Sequence, residues 1–167
     1  MYSAEYFISK LNLEEHIEGG YFKEVYRSSC RFAGKESVSE SERSLSTSIY
    51  FLLKGNQVSR FHSLRSDELW YYHYGSSVII HMISKDGVLE SRKLGLNMEK
   101  DERPQILIPA GVVFAAENRD KEMFSLVSCV VSPGFDFRDF KLHGRDELIA
   151  SYPSHSDLIE RFTREGS

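Results

Sequence analysis

The chain has 167 residues, of which 41% are hydrophobic, and its formal net charge at pH 7 is −4. These values are typical of a single domain, alone or with terminal additions, and they exclude wholesale disorder. The sequence has no run of five basic residues and no apolar run near the roughly 18 residues of a membrane span. We therefore expect neither a nucleic-acid partner nor a membrane-spanning segment.

The expected cellular compartment follows from the cysteines and the N-terminus. Cys30 and Cys129 allow one disulfide, but two free, mostly buried thiols in a cytosolic protein fit this usage better. Glu5, Lys10 and Glu14 interrupt the first apolar residues, so the N-terminus is not a secretory signal. The sequence therefore predicts a cytoplasmic protein.

The N-terminal third begins with a predicted helix. Ser3 can cap it, and apolar residues at helical spacing carry it to about Leu13. Gly19 and Gly20 then indicate a tight turn into a strand over 21–28, because glycine adopts backbone angles that other residues resist. The turn at Glu18 either stands alone or forms a lid over a barrel mouth. Residues 33–46 are polar and charged, and we expect a surface loop there.

Short strands separated by turn signals fill the rest of the chain. They are predicted over 47–53, 58–64, 68–74, 77–84, 88–94, 105–109, 112–118 and 123–132. A last strand over 135–142 and helices over 145–151 and 156–162 complete the prediction. Regular short strands without helices between them indicate an all-β sandwich or barrel. We divide the single domain into a helical segment (1–15), a barrel (16–142) and a C-terminal tail (143–167).

Two motifs give this barrel a more specific interpretation. The first contains five spaced residues, Gly55, His62, Leu64, Glu68 and Gly75. It resembles the first motif of the cupin superfamily, which reads Gly, His-x-His, Glu, Gly. The second contains Pro109, Gly111, Phe114 and Asn118, and resembles the second cupin motif, Pro-x-Gly, His, Asn. The resemblance implies a double-stranded β-helix, the cupin jelly-roll barrel, here with an N-terminal helix and a short C-terminal helical tail.

Cupins usually hold a divalent metal with three histidines and one glutamate. In this chain His62 and Glu68 occupy two of those four places, while Leu64 and Phe114 occupy the other two. Leucine and phenylalanine donate nothing to a metal, so no metal site is predicted with confidence. If a divalent metal binds, His62 and Glu68 are its expected ligands, and a carbonyl oxygen of Gln105 or the phenol of Tyr72 would be unusual additions.

Three further blocks narrow the resemblance. They read HIEGGYF at 16–22, FHSLRSDELW at 61–70 and SPGFDF at 132–137. Together they resemble one cupin family of unassigned function, which consists of short single-domain proteins. The resemblance implies homodimers, and it implies that the incomplete metal tetrad is a family feature. In the last block we expect a turn over the sheet, with Phe135 and Phe137 in the core.

The candidate ligand pocket follows from the alternation of side chains along a strand. His62 shares a face with Arg60, and Glu68 shares a face with the aromatic residues two and four positions further on. In cupins these faces point into the barrel, and the second motif adds one more inward aromatic ring. The residues expected to wall the pocket are Arg60, Trp70, Gln105 and Phe114. For Phe114 in particular, pocket wall and plain core remain equal alternatives.

Three inward residues can carry acid–base chemistry. His62 titrates near neutral pH and suits a base, Glu68 would orient it or share its proton, and Tyr72 would act as the acid. By fold-level analogy with metal-independent sugar-nucleotide epimerases, we expect a protein that binds or isomerises a small polar metabolite. The alternatives are a metal-dependent isomerase or dioxygenase, and a non-catalytic ligand-binding or structural dimer. In the last case His62 and Glu68 would only shape the barrel.

Overall fold

The computed structural model describes residues 2–32 and 42–164. The helices are α1 (Ala4–Lys10), α2 (Arg145–Ser151) and α3 (Ser156–Arg161). The strands are β1 (Glu14–Glu15), β2 (Tyr21–Arg27), β3 (Arg31–Phe32), β4 (Arg43–Ser44), β5 (Thr47–Lys54), β6 (Val58–Ser63), β7 (Asp67–Gly75), β8 (Val78–Ile83), β9 (Leu89–Leu94), β10 (Glu102–Arg103), β11 (Gln105–Ile108), β12 (Val113–Asn118), β13 (Phe124–Ser132) and β14 (Lys141–Leu142). Most of the loop predicted over 33–46 lies outside the described residues.

Two six-stranded sheets form the body of the protein. Their strand orders are β1-β2-β5-β13-β7-β11 and β10-β9-β8-β12-β6-β14. Every pairing within them is antiparallel except that of β9 with β10, which is parallel. Side chains from both sheets meet in one buried cluster, where Phe51 and Trp70 of the first sheet pack with Ile80 and Phe114 of the second. The predicted all-β jelly-roll barrel is confirmed.

The N-terminal helix is shorter than predicted. The Ser3 hydroxyl accepts a hydrogen bond from the Tyr6 backbone N–H at 3.2 Å, as expected of a cap. The helix ends at Lys10 rather than near residue 13, because Asn12 adopts a left-handed backbone with φ 51°. The chain then turns so that Leu13 enters a buried cluster and Glu14 begins β1. No helix in the described part of the chain is long and apolar enough to cross a membrane.

The C-terminal helices cover the outer face of the second sheet. Leu148 of α2, Ile159 of α3 and Phe162, which follows α3, are buried against Phe61 and other side chains of β6, β8 and β12. The strand predicted over 135–142 is wrong except for its last two residues, which form β14. Residues 135–140 instead have no regular secondary structure and lie against the first sheet.

Candidate functional site

A cavity of about 300 Å³ lies against the inner face of the first sheet. Its walls are mainly aromatic and aliphatic, and include Phe22, Phe51, Leu64, Val131, Phe135 and Phe140. Several groups that can exchange protons also line it, among them His16, Glu18, His62 and Glu68. An apolar cavity with a few convergent polar groups is the usual composition of a small-molecule site.

Glu18 and His62 form a buried pair at this cavity. The exposed fraction is 6% for Glu18 and 2% for His62. Glu18 Oε2 lies 3.3 Å from His62 Nε2, and Glu18 Oε1 accepts a hydrogen bond from the Ser59 hydroxyl at 2.8 Å. The carboxylate is therefore held from one side by β6 and aimed with its other oxygen at the imidazole.

The backbone determines which nitrogen of His62 carries hydrogen. His62 Nδ1 lies 2.7 Å from the carbonyl oxygen of Arg60, which can only accept, so Nδ1 donates. Nε2 therefore bears the lone pair when the ring is neutral. Burial lowers the pKa of His62 to about 4 and raises the pKa of Glu18. When the pair holds a proton, that proton therefore resides on Glu18, which donates it to Nε2.

His16 contacts the same carboxyl from the other side. Its Nδ1 lies 3.4 Å from Glu18 Oε2 and accepts a hydrogen bond from the Glu18 backbone N–H at 3.3 Å. Burial lowers the pKa of His16, which keeps this ring neutral as well. The ring packs edge-on against Phe22, with 4.5 Å between the ring centroids. His16 thus fixes the position of Glu18 without adding charge to the cavity.

Glu68 is the second carboxyl of the cavity and is paired much less completely. It is 6% exposed, and its Oε2 has no hydrogen-bond partner among the residues that the structure describes. Burial, and secondly the charge of Glu18, raise the pKa of Glu68 to about 8, although hydrogen bonds with the Cys129 and Trp70 side chains offset part of this. Glu68 is therefore a neutral carboxylic acid at pH 7, and it lines the cavity.

The structure brings only part of the predicted site together. His62 and Glu68 line one cavity, as expected, with Leu64 beside them. Trp70 and Phe114 are each 1% exposed and lie in the core behind the cavity, where the Phe114 and His62 ring centroids are 4.0 Å apart. These two aromatic residues support the site but do not wall it.

Arg60, predicted as a pocket wall, does not line the cavity. Its guanidinium Nη1 donates to the backbone carbonyl of Glu18 at 3.1 Å, and its backbone N–H donates to the same carbonyl at 2.9 Å. Arg60 thereby holds the turn that carries Glu18. Its role is to position another residue rather than to contact a ligand.

The assignments of Tyr72 and Gln105 are wrong. Tyr72 lies four residues along β7 from Glu68, about 13 Å away in an extended strand, and its hydroxyl donates to the Gly75 carbonyl at 2.6 Å. Gln105 is exposed, because Ile106 takes the inward position on β11. Neither residue lines the cavity: Gln105 points outward from β11, and Tyr72 lies too far along β7.

The sequence interpretation missed Glu18, the residue that completes the site. The turn at Gly19 and Gly20, with φ of 113° and 73°, carries Glu18 beneath β6. A Cβ on Gly19 would lie 2.1 Å from the Val58 carbonyl oxygen, so only glycine permits this close approach. The signal in the sequence was a carboxylate that directly precedes two glycines and follows His16 by two residues.

The segment 133–140 forms the outer wall of the cavity. The prediction that Phe135 and Phe137 lie in the core is wrong, since Phe135 is half-buried and Phe137 is 66% exposed, and both line the cavity. Arg43 holds this segment through Asp136 at 2.5 Å and Asp139 at 3.0 Å. The anchors are polar and few, so we expect this wall to open more readily than the sheets.

Replacing Arg43 by methionine should loosen this wall. Loss of the ion pairs to Asp136 and Asp139 removes about 1 kcal/mol or more of local stability, which corresponds to at least about fivefold faster amide exchange over 133–140. Hydrogen–deuterium exchange with mass spectrometry measures this. Arg92→Met, which breaks an exposed pair with Glu90, is the matched control and should leave the segment unchanged. Equal exchange in both variants would contradict the anchoring role.

The residues present do not form the cupin metal tetrad. Leu64 and Phe114 offer no donor atom, and Nε2 of His62, the atom left for a metal, faces Glu18 instead. Within residues 2–32 and 42–164, no group of three or more His, Cys, Asp or Glu side chains is arranged to hold a metal ion. The donor set fits proton exchange better than metal binding.

Comparison with known proteins places this geometry in a family. The model of the family described as "Cupin superfamily (DUF985)" matches residues 5–143. An uncharacterised protein of Saccharomyces cerevisiae is 32% identical over 158 residues, which cover 87% of this chain and 78% of that protein.

Solved structures agree with this placement. A protein of Shewanella oneidensis is 43% identical with a TM-score of 0.89 and covers 98% of this chain and 99% of its own. A hypothetical protein from Leishmania major is 36% identical with the same TM-score, covering 98% and 100%. Oxalate decarboxylase from Bacillus subtilis, which has Mn(II) centres, is 16% identical with a TM-score of 0.56 over 89% of this chain and 36% of its own, and shares the fold alone. The chain belongs to the DUF985 family of the cupin superfamily.

Proposed function

We propose that the protein binds a small organic metabolite in the cavity and catalyses an isomerase-type or epimerase-type proton transfer on it, without a required metal. The observation that carries this proposal is the presence of two unlike carboxyls in one cavity. Glu18 is paired with His62, whereas Glu68 has an oxygen without a hydrogen-bond partner among the described residues. Two titratable groups whose surroundings separate their pKa values are a common basis for acid–base catalysis.

The two carboxyls are electrostatically coupled. Burial raises the pKa of Glu18 while the Ser59 hydroxyl favours its ionised form, and a negative charge on Glu18 raises the pKa of Glu68. Once Glu18 is ionised, two lone pairs face each other across the 3.3 Å between Glu18 Oε2 and His62 Nε2. That arrangement has a high affinity for a proton. The Glu18–His62 pair would therefore be the base, and Glu68 the acid.

The cavity limits the size and character of the ligand. A volume of about 300 Å³ is at the small end of ligand pockets. Aromatic walls such as Phe22, Phe51 and Phe140 suit the apolar face of a ring or a sugar-like molecule. A small metabolite with a polar group at one end satisfies both the walls and the acid–base groups.

The proposal predicts that His62→Ala abolishes turnover, by about 100-fold or more, as expected for loss of general-base catalysis. A metabolite library is incubated with the protein in D₂O, and mass spectrometry detects deuterium incorporation or isomerisation. The rate should rise with pH as Glu18 loses its proton and fall as Glu68 does so near pH 8. His73→Ala, on the exposed side of β7, is the matched control and should retain activity.

Binding of library compounds without any exchange or conversion would contradict the catalytic proposal. It would instead support the alternative of a non-catalytic ligand-binding protein. A retained rate in His62→Ala would show that the base lies elsewhere.

We also propose that the protein is a cytoplasmic homodimer, as its family resemblance implies. β1 pairs with β2 only at Tyr21 and Phe22, so the outer edge of the remaining β2 residues has no strand partner among the described residues. Val25 and Tyr26 on this strand are 51% and 54% exposed. A second copy could add to this edge. Light scattering should give twice the chain mass, and a monomeric mass would contradict the dimer.

A further inference from the structure

The charges around the cavity restrict which molecules it accepts. Of the described residues that line it, Arg27 carries the single permanent positive charge. Its guanidinium already donates two hydrogen bonds to Glu24, at 2.9 and 2.6 Å, and one to the Phe135 carbonyl at 3.1 Å. Asp136, which also lines the cavity, is paired with Arg43. Among the described residues, the one lining cation therefore already has its charge paired with a carboxylate.

Acidic side chains outnumber that cation in the lining of the cavity. Glu18, Glu24, Glu68 and Asp136 line it. A phosphate or carboxylate on the ligand would lose its hydration without meeting an unpaired cation, which is unfavourable in a buried site. A ligand without net charge avoids this cost.

The carboxyl group of Glu68 defines the polar end of that ligand. The side chain is buried, lines the cavity, and leaves Oε2 without a hydrogen-bond partner among the described residues. A neutral carboxyl at this position donates one hydrogen bond from its O–H and leaves the Glu18–His62 pair to accept a proton. An acceptor oxygen beside an acidic C–H group matches both requirements at once.

We propose that the substrate is an uncharged ketone or aldehyde with an acidic C–H group next to its carbonyl carbon, and that Glu68 donates a hydrogen bond to the carbonyl oxygen. This inference rests on the proposed function and names its substrate class. It depends on the Glu68 carboxyl in the cavity wall, the Glu18–His62 pair and the pairing of the Arg27 charge with Glu24.

The proton transfer balances without a further reactant. The Glu18–His62 pair takes the proton from the carbon beside the carbonyl, and the C–H electron pair forms the C=C bond of an enol. The C=O π electrons move to oxygen, which takes the proton of Glu68. Glu68 is then a carboxylate and the base pair holds one more proton. Return of protons to carbon and to Glu68 gives the starting compound, its epimer or its isomer.

Deuterium exchange on charge-matched probes tests this inference. The neutral probes are dihydroxyacetone and 2-hydroxy-1-phenylethanone. Their anionic counterparts are dihydroxyacetone phosphate and 4-(2-hydroxyacetyl)benzoate. Each is incubated in D₂O with and without protein, and NMR measures exchange at the carbon beside the carbonyl. We expect catalysed exchange of at least one neutral probe, at least about tenfold faster than that of its anionic counterpart. Glu68→Ala should lower that rate at least about 100-fold, while Glu68→Gln, which still donates a hydrogen bond, should retain more of it.

The outcomes separate the substrate class from the proposed function. Exchange of the anionic probes as fast as the neutral ones, or no catalysed exchange of either neutral probe, overturns the uncharged carbonyl class. In that case conversion of other compounds in the metabolite library would leave the proton-transfer function standing. Unchanged exchange of a neutral probe in Glu68→Ala overturns the role of Glu68 while the library result again stands separately.

Discussion

Glu68→Gln should make the protein several kcal/mol more stable than the wild type at pH 9, and equally stable at pH 4.5. Burial raises the folded-state pKa of Glu68 from 4.5 to about 8, so the folded protein keeps a proton that the unfolded chain releases. Stability is therefore lost as the pH rises from about 4.5 to about 8. At about 1.4 kcal/mol per pH unit the full difference is about 5 kcal/mol, and relaxation around the charge reduces it to about 2–4 kcal/mol. Glutamine imitates the neutral acid and removes the loss.

Chemical denaturation of both proteins at several pH values measures this difference. Glu99→Gln is the matched control, since Glu99 is exposed in a short 3₁₀ turn and the same chemical change there should have little effect. A pH-independent difference between Glu68→Gln and the wild type would show that Glu68 is not held neutral. The same experiment requires no knowledge of the substrate.

Gly19→Ala should destabilise the protein by about 3 kcal/mol or more and separate Glu18 from His62. The new Cβ would lie 2.1 Å from the Val58 carbonyl oxygen, and φ at this residue is 113°. Overpacking against backbone and a strained φ each cost about 1–3 kcal/mol. Because the turn must shift, the carboxyl it carries should move away from the imidazole. Denaturation gives the stability, and NMR titration of His62 reports whether its surroundings have changed.

Gly87→Ala is the matched control for Gly19→Ala. It introduces a strained φ without a steric conflict at the new Cβ. Gly87 also has a positive φ, 76°, but a Cβ there would meet only the Tyr152 ring at 3.5 Å, an ordinary contact. We expect a cost of about 1 kcal/mol from backbone strain alone. Equal destabilisation by the two substitutions would contradict the close approach of Gly19 to β6. An unaltered titration of His62 in Gly19→Ala would contradict its link to the site.

The strands were predictable because their signals are local. Alternating and β-branched runs between turn residues gave β5 to β9 and β11 to β13 within one or two residues of their observed ends. Inward facing on β6 and on the start of β7 followed from the cupin motifs, and His62 and Glu68 do line one cavity. The predicted orientation of side chains was wrong on β11, where Gln105 lies outside. A strand of four residues is too short to show by itself which side chains point inward.

The rest of the site could not be predicted, because it depends on contacts distant in sequence. Glu18 joins His62 only after the turn at Gly19 docks under Val58, more than 30 positions further along the chain. Nothing in the local pattern distinguishes a turn that stands alone from one that docks. The segment at Phe135 was assigned to the core from its aromatic content, although polar anchors hold it as a cavity wall.

The position of Glu18 bears on attempts to build the complete cupin metal tetrad into this protein. By motif position alone, Leu64→His and Phe114→His would supply the two missing cupin ligands. His62 is already oriented as metal-binding histidines usually are, with Nδ1 donating to a backbone carbonyl. Its Nε2, however, is engaged by Glu18, whose carboxyl would have to be removed or recruited as a ligand. A redesign that changes only the two cupin positions therefore starts with its one native histidine ligand already occupied.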